Sequence, residues 1–180
     1  MSYTNQQAEQ RMAAWAQRLA QADLPDWDRL PQFDLYMDQL LELLTRWVAP
    51  LASAGDAGVT ASAINNYVRM KIVPAPVRKK YTRVHLAELV ILCTLKQSLS
   101  IASVQCILPR PAEEAAVQAL YERFVRQFRD AREAFCRHAA APAEELVLPV
   151  AGKDLALSAA VYATLAHSLT EALLRGAPEE

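Results

Sequence analysis

Apolar residues recur at intervals of three and four along almost the whole chain, a pattern typical of amphipathic helices. The clearest stretch lies between Glu113 and His138, where apolar and aromatic residues alternate in steps of four and three. We therefore expect an all-α protein. The predicted helices are an N-terminal helix through Leu19, then 34–51, 60–70, 83–97, 100–108 and 113–138, and a last helix from Asp154 through Leu173.

Prolines divide this helical pattern into three regions. Pro74 and Pro76 lie inside the middle region, where they exclude helix and force extended backbone before residues 78–81. Further prolines flank the middle region on both sides. The predicted regions are an N-terminal helix with its linker (1–30), a central domain (31–109) and a C-terminal helical pair (110–180).

Charge is distributed unevenly, although the formal net charge is only -1. No Asp or Glu occurs between Asp56 and Glu88. A basic patch on a nearly neutral protein is the electrostatic signature of nucleic-acid binding. The cations in this interval are Arg69, Lys71, Arg78, Lys79, Lys80 and Arg83.

The order of elements between Asp34 and Leu108 indicates a helix-turn-helix with a short wing. Its helix over 60–70 carries Asn and Arg, which can pair with adenine and with guanine or phosphate in the major groove. The cations behind it would contact adjacent phosphates. Tyr81 would anchor the wing or donate its hydroxyl to the backbone, and His85 would contact phosphate or cover a helix end. The predicted DNA-binding residues are Thr60, Ser62, Asn65, Asn66, Arg69, Lys71, Arg78, Lys79, Lys80, Tyr81, Arg83 and His85.

The run TASAINNYVRMKIVPAPVRKKYTRVHL resembles the DNA-binding domain of the MerR-type regulators. Ile64 and Tyr67 match that family's recognition-helix core, and Lys80-Tyr81 fall where its wing carries a basic residue and Tyr. The wider segment from Leu30 to Leu108 is more similar to a bacterial family catalogued as domain of unknown function 1836, through INNYV and PVRKKYTRVHL. The resemblance implies a regulator that binds double-stranded DNA, with no established ligand or target.

Three departures from the MerR pattern concern the groove contacts rather than the fold. Asn65 stands where MerR proteins usually carry an Arg that reaches the phosphate backbone, and Lys71 stands where they often carry Gly. The wing is also several residues shorter. The segment after Pro111 lacks the long coiled coil and effector loop of typical members.

Two alternatives to DNA binding remain open from the sequence. The basic run could be an ordinary solvated face, and helix-turn-helix folds also serve as protein-binding modules. The Asn65-Asn66 pair could simply bond to local backbone. The rival functions are therefore a protein-interaction adaptor, and a ligand sensor that uses the C-terminal helices.

An aromatic seam in the C-terminal region has three interpretations. It could pack on the last helix, which we rank first, form a homodimer, or line a pocket for a small-molecule effector. Fewer than three full heptads is short for a free coiled coil. The seam consists of Val117, Tyr121, Phe124, Phe128 and Phe135.

No catalytic constellation or cofactor motif is found in the sequence, so we expect no enzyme and no cofactor. The cysteines form no CxxC pair, which argues against a metal site or a disulfide framework. The chain begins without an apolar signal core, and its apolar C-terminal stretch is too short to span a membrane. We expect a cytoplasmic regulator of transcription.

Overall fold

The computed structural model describes residues 5–52, 58–110, 112–142, 145–148 and 154–175. Seven α-helices lie in these ranges and no strand does, which confirms the all-α prediction. Two isolated antiparallel bridges join Leu35 to Tyr81 and Val77 to Lys80. The helices are α1 (Asn5–Ala20), α2 (Met37–Val48), α3 (Ala61–Arg69), α4 (Arg83–Leu95), α5 (Ile101–Gln105), α6 (Glu114–Ala140) and α7 (Leu155–Arg175).

Helix α4 forms the centre of the molecule. Every residue from His85 to Leu95 is buried, so this stretch of the helix exposes no face to solvent. A mostly apolar helix of this kind is stable only when neighbours surround it. Helices α2, α5, α6 and α7 all pack on α4, and the buried apolar residues form one continuous core.

Helices α1, α6 and α7 pack on one another beside this centre. Trp15 of α1 meets Phe135 of α6 edge to face, with ring centroids 5.8 Å apart. The Trp15 indole N–H also donates to the Ser168 hydroxyl of α7 at 3.1 Å. One aromatic side chain therefore joins all three helices.

The aromatic seam predicted in α6 faces the chain's own core. All five of its residues are buried, and the rings of Phe135 and Tyr121 contact Trp15 and Trp27 of the same chain. Tyr121 donates its hydroxyl to the Pro25 carbonyl at 2.8 Å, which secures the segment between α1 and α2.

Most helix ends lie within two residues of the predicted ones, but both ends of α2 and the end of α5 lie three residues inside the predicted limits, at Met37, Val48 and Gln105. Helix α2 begins at Met37 rather than Asp34, because Leu35 is extended and pairs with Tyr81. Helix α4 ends at Leu95 rather than Gln97. Helix α3 begins as predicted, since the Thr60 hydroxyl accepts the Ala63 backbone N–H at 3.2 Å.

Candidate nucleic-acid interface

Helix α3 buries one side and exposes a polar stripe on the other. Ile64 and Tyr67 are buried and fix the helix on the core. Ser62, Asn65 and Arg69 are exposed at steps of three and four, so they share one face. This face is free of acidic side chains and carries one cation.

The adjacent asparagines of α3 have different surroundings. The Arg69 guanidinium donates to the Asn66 side-chain oxygen at 2.6 Å, and the Asn66 amide lies 3.5 Å from the Met70 sulfur. Asn65 is exposed, and no side-chain partner is recorded for it in the described part of the chain. Asn66 is therefore engaged within the helix, whereas the Asn65 amide is available to an external partner.

Helix α3 ends in a Schellman motif centred on Lys71. The Ile72 N–H donates to the Tyr67 carbonyl at 2.9 Å, and the Lys71 N–H donates to the Val68 carbonyl at 3.0 Å. Lys71 has a φ of 57°, the left-handed conformation that glycine usually supplies at this position. A lysine side chain is thereby exposed at the end of the helix.

A four-residue turn, Val77–Lys80, follows the extended proline segment, and we call it the basic turn. The Lys80 N–H donates to the Val77 carbonyl at 2.9 Å. Arg78 and Lys79 have φ of 51° and 63°, and two successive positive φ values are typical of a type I′ turn. Both cations are exposed, and Lys80 is half-buried.

The basic turn is held against the core by Tyr81. Leu35 and Tyr81 exchange two backbone hydrogen bonds, each with an N–O distance of 2.8 Å. The Tyr81 ring is 3% exposed and meets the His85 ring edge to face at 5.7 Å. Tyr81 therefore supports the turn from the inside and is not on the surface.

His85 and Arg83, both predicted as DNA contacts, are engaged within the protein. The His85 Nδ1 accepts the Thr82 backbone N–H at 3.0 Å and so caps α4. Burial lowers the pKa of His85 below its usual value, against the opposing effects of the Ala75 backbone and Asp34, so the ring is neutral near pH 7. The Arg83 guanidinium lies 5.2 Å from the Trp27 ring centroid and donates to the Leu30 carbonyl at 3.3 Å.

A buried ion pair that the sequence pattern did not predict lies behind α3. Glu88 of α4 is fully buried and accepts a hydrogen bond from Arg110 at 2.7 Å. Arg110 also donates to the Ile72 carbonyl at the exit of α3. The one available signal was an acidic residue inside an otherwise apolar helical run, which in a folded protein needs a partner.

No group of three or more His, Cys, Asp or Glu in the described ranges could hold a metal ion. No helix there is long and apolar enough to cross a membrane.

A family model described as Domain of unknown function (DUF1836) matches residues 25–124, more than half of the chain. This range includes helices α2 to α5, the basic turn and the first part of α6. No curated protein and no solved structure matches the chain.

Proposed function

The chain belongs to the family of domain of unknown function 1836, and from this premise we propose that it is a DNA-binding regulator of transcription. The proposed DNA-binding unit is a winged helix-turn-helix of the MerR type, with α2 and α3 as its two helices and the basic turn as its wing. Helix α3 enters the major groove, and the wing contacts the flanking phosphates.

One observation carries this proposal. Three non-glycine residues in the described ranges have positive φ, namely Lys71, Arg78 and Lys79. All three are cations of the interval between Asp56 and Glu88 that contains no acidic residue. The left-handed conformation costs roughly 1–2 kcal/mol for a residue with a Cβ atom, and Gly or Asn would lower that cost. Backbone strain that persists in a protein is concentrated at functional sites. The strain here accompanies positive charge, which fits an anionic partner.

The surroundings of these cations also favour phosphate binding. None of the ion pairs in the described residues involves Arg69, Lys71 or the three cations of the basic turn. By contrast, Arg29, Arg46 and Arg129 each pair with a neighbouring acid. Cations without acidic partners give up no intramolecular ion pair when they bind phosphate, so their full charge is available for counterion release.

The polar face of α3 supports reading of bases. Asn65 can form two hydrogen bonds with adenine, and Arg69 can reach guanine or phosphate. Thr60 and Ser62 lie at the N-terminal end of the same helix, where hydroxyls and backbone N–H groups can position the helix on phosphate. Asn66 keeps Arg69 in place through their hydrogen bond.

The test is a titration of labelled duplex DNA from around the protein's own gene, followed by fluorescence anisotropy at salt from about 50 to about 200 mM. We expect salt-sensitive binding that prefers one fragment. The variant Arg78→Ala/Lys79→Ala/Lys80→Ala should bind every fragment more weakly, with a salt slope reduced by about three.

A charge-matched control separates this local effect from the loss of net charge. Arg123, Arg126 and Arg137 are exposed on α6, outside the proposed unit. Their replacement by Ala removes the same charge and should leave the slope nearly unchanged. Absence of binding by the parent protein at low salt would contradict DNA binding and favour the protein-interaction adaptor.

A further inference from the structure

Three side chains form a row on the outward face of the basic turn. Because Leu35 pairs with Tyr81, the next pair in antiparallel register is Tyr36 with Lys80. The Lys80 ammonium lies 5.6 Å from the centroid of the Tyr36 ring. Val77 pairs with Lys80 from the other side of the turn. We call Tyr36, Lys80 and Val77 the outward row.

The outward row exposes apolar surface on a rigid support. Tyr36 is 52% exposed and Val77 is 68% exposed. The Tyr36 N–H donates to the Gln39 side chain at 3.0 Å, and its carbonyl accepts the Leu40 N–H at 2.9 Å. These bonds fix the backbone of Tyr36 at the start of α2, so no backbone entropy is lost when the residue contacts a partner.

The outward row also continues the basic surface of the turn. Val77 and Lys80 adjoin Arg78 and Lys79, and no ion pair in the described residues involves any of these cations. Asp34 and Asp38 flank Tyr36 along the chain, so Tyr36 stands at the border of the basic surface. A partner that covers the row meets an aliphatic, a cationic and an aromatic group in succession.

We infer that the outward row packs against the sugar-phosphate edge of the same DNA duplex that the basic turn binds. Lys80 contacts a phosphate, while Val77 and the Tyr36 ring cover the apolar faces of adjoining deoxyriboses. This inference rests on the proposed function and adds an apolar component to it. Duplex DNA fits because sugars and phosphates alternate along its edge. A sugar, a phosphate and the next sugar can face Val77, Lys80 and Tyr36 in that order. An acidic protein segment is the competing occupant.

The apolar component has a measurable signature. A cation that neutralises a phosphate releases counterions, so its loss lowers the salt slope by about one. Contact between Val77 or Tyr36 and a sugar releases no counterion, so its loss weakens binding equally at every salt concentration. The slope of log K against log salt therefore separates the two kinds of contact.

The experiment measures binding of a labelled mixed-sequence DNA duplex to the full-length protein and its variants across the same salt series. Tyr36→Ser/Val77→Ser should bind about tenfold more weakly at every salt concentration, the value expected for loss of roughly 50 Å² of buried apolar contact, with an unchanged slope. Lys80→Ala should bind more weakly with a slope lower by about one. Tyr36→Phe/Val77→Ile should retain parental affinity, because neither change removes apolar surface.

The matched control is Val147→Ser/Leu174→Ser, which removes two exposed apolar side chains elsewhere on the chain, at 71% and 66% exposure. It should bind DNA as the parent does. Thermal unfolding of each variant checks that the exposed substitutions leave the fold intact.

Different outcomes separate the inference from the proposed function. Weaker binding by Arg78→Ala/Lys79→Ala/Lys80→Ala but parental affinity in Tyr36→Ser/Val77→Ser would overturn the inference and leave the DNA-binding function standing. A changed slope in Tyr36→Ser/Val77→Ser would also overturn it. No duplex binding by the parent would overturn both. Binding of a synthetic Glu- and Leu-rich peptide that Tyr36→Ser/Val77→Ser loses, at unchanged DNA affinity, would assign the row to a protein partner instead.

Discussion

Arg110 donates a hydrogen bond of 2.7 Å to the carboxylate of Glu88, whose side chain is completely buried. The second Glu88 oxygen has no hydrogen-bond partner among the described residues. Arg110 also reaches the Ile72 carbonyl, directly after the left-handed Lys71. One guanidinium therefore links α4, the exit of α3 and the segment that leads into α6.

Replacing Arg110 should destabilise the protein markedly. Arg110→Ala leaves a buried carboxylate without its partner, which typically costs 3–5 kcal/mol; we expect roughly 3, since the Arg110 side chain is 34% exposed. Urea unfolding measures this loss. The control is Arg46→Ala, which breaks an exposed pair with Glu42 and should change stability by less than about 0.5 kcal/mol. Equal losses in the free energy of unfolding would show that the buried pair stabilises the protein no more than the exposed pair does.

The same pair should make stability depend on pH. Burial raises the pKa of Glu88 above its ordinary value of 4.5, while Arg110 opposes this rise. The folded state then holds the proton more tightly than the unfolded chain. The free energy of unfolding therefore falls as pH increases from the ordinary value through the raised one, and it levels off above.

Two variants check the sign of this effect by thermal unfolding at a series of pH values. In Glu88→Gln the fall should disappear, so its stability relative to the parent should increase with pH. In Arg110→Ala the fall should be larger, because the pKa of Glu88 rises further without the cation. A parallel pH profile in parent and Glu88→Gln would rule out Glu88 as the source.

The two asparagines of α3 should differ in their effect on sequence preference. Asn65 is exposed and its side chain has no partner among the described residues, whereas Asn66 is bonded to Arg69. Asn65→Ala should reduce discrimination at one base position by about 1–3 kcal/mol and leave affinity for non-specific DNA nearly unchanged. Asn66→Ala should weaken binding to all sequences slightly. Selection from a randomised duplex pool measures both, and identical preference profiles of parent and Asn65→Ala would contradict base reading by Asn65.

The sequence predicted those parts of the fold that depend on local pattern. Helix α3 and its cap at Thr60 follow from residues close together in the chain, as do the limits of α6. The pairing of Leu35 with Tyr81 depends on a contact between distant segments. That pairing moves the start of α2 and brings Tyr36 opposite Lys80, and no local pattern contains it.

The candidate site was predictable in composition but not in conformation. The interval without acidic residues indicated which cations form the basic surface. The left-handed backbone of Lys71, Arg78 and Lys79 could not be predicted, because none of these positions carries the glycine that usually marks such a conformation. The direction of side chains in a short turn is likewise set by the core beneath it. Tyr81 and His85 belong to the predicted DNA-contact residues, yet both side chains are buried.

Relief of the strain in the basic turn should separate stability from DNA binding. Asn-Gly is the preferred pair for a type I′ turn, so Arg78→Asn/Lys79→Gly should raise the free energy of unfolding by about 1–2 kcal/mol. The same variant should bind duplex DNA more weakly, with a salt slope reduced by about two.

Arg78→Ala/Lys79→Ala is the matched control: it removes both charges but keeps a Cβ atom at each left-handed position, so it should lose affinity without gaining stability. A variant with Asn-Gly that is no more stable than the Ala-Ala variant would refute the strain argument. If the Asn-Gly variant binds DNA as tightly as the parent, the strained conformation of the turn does not serve phosphate binding.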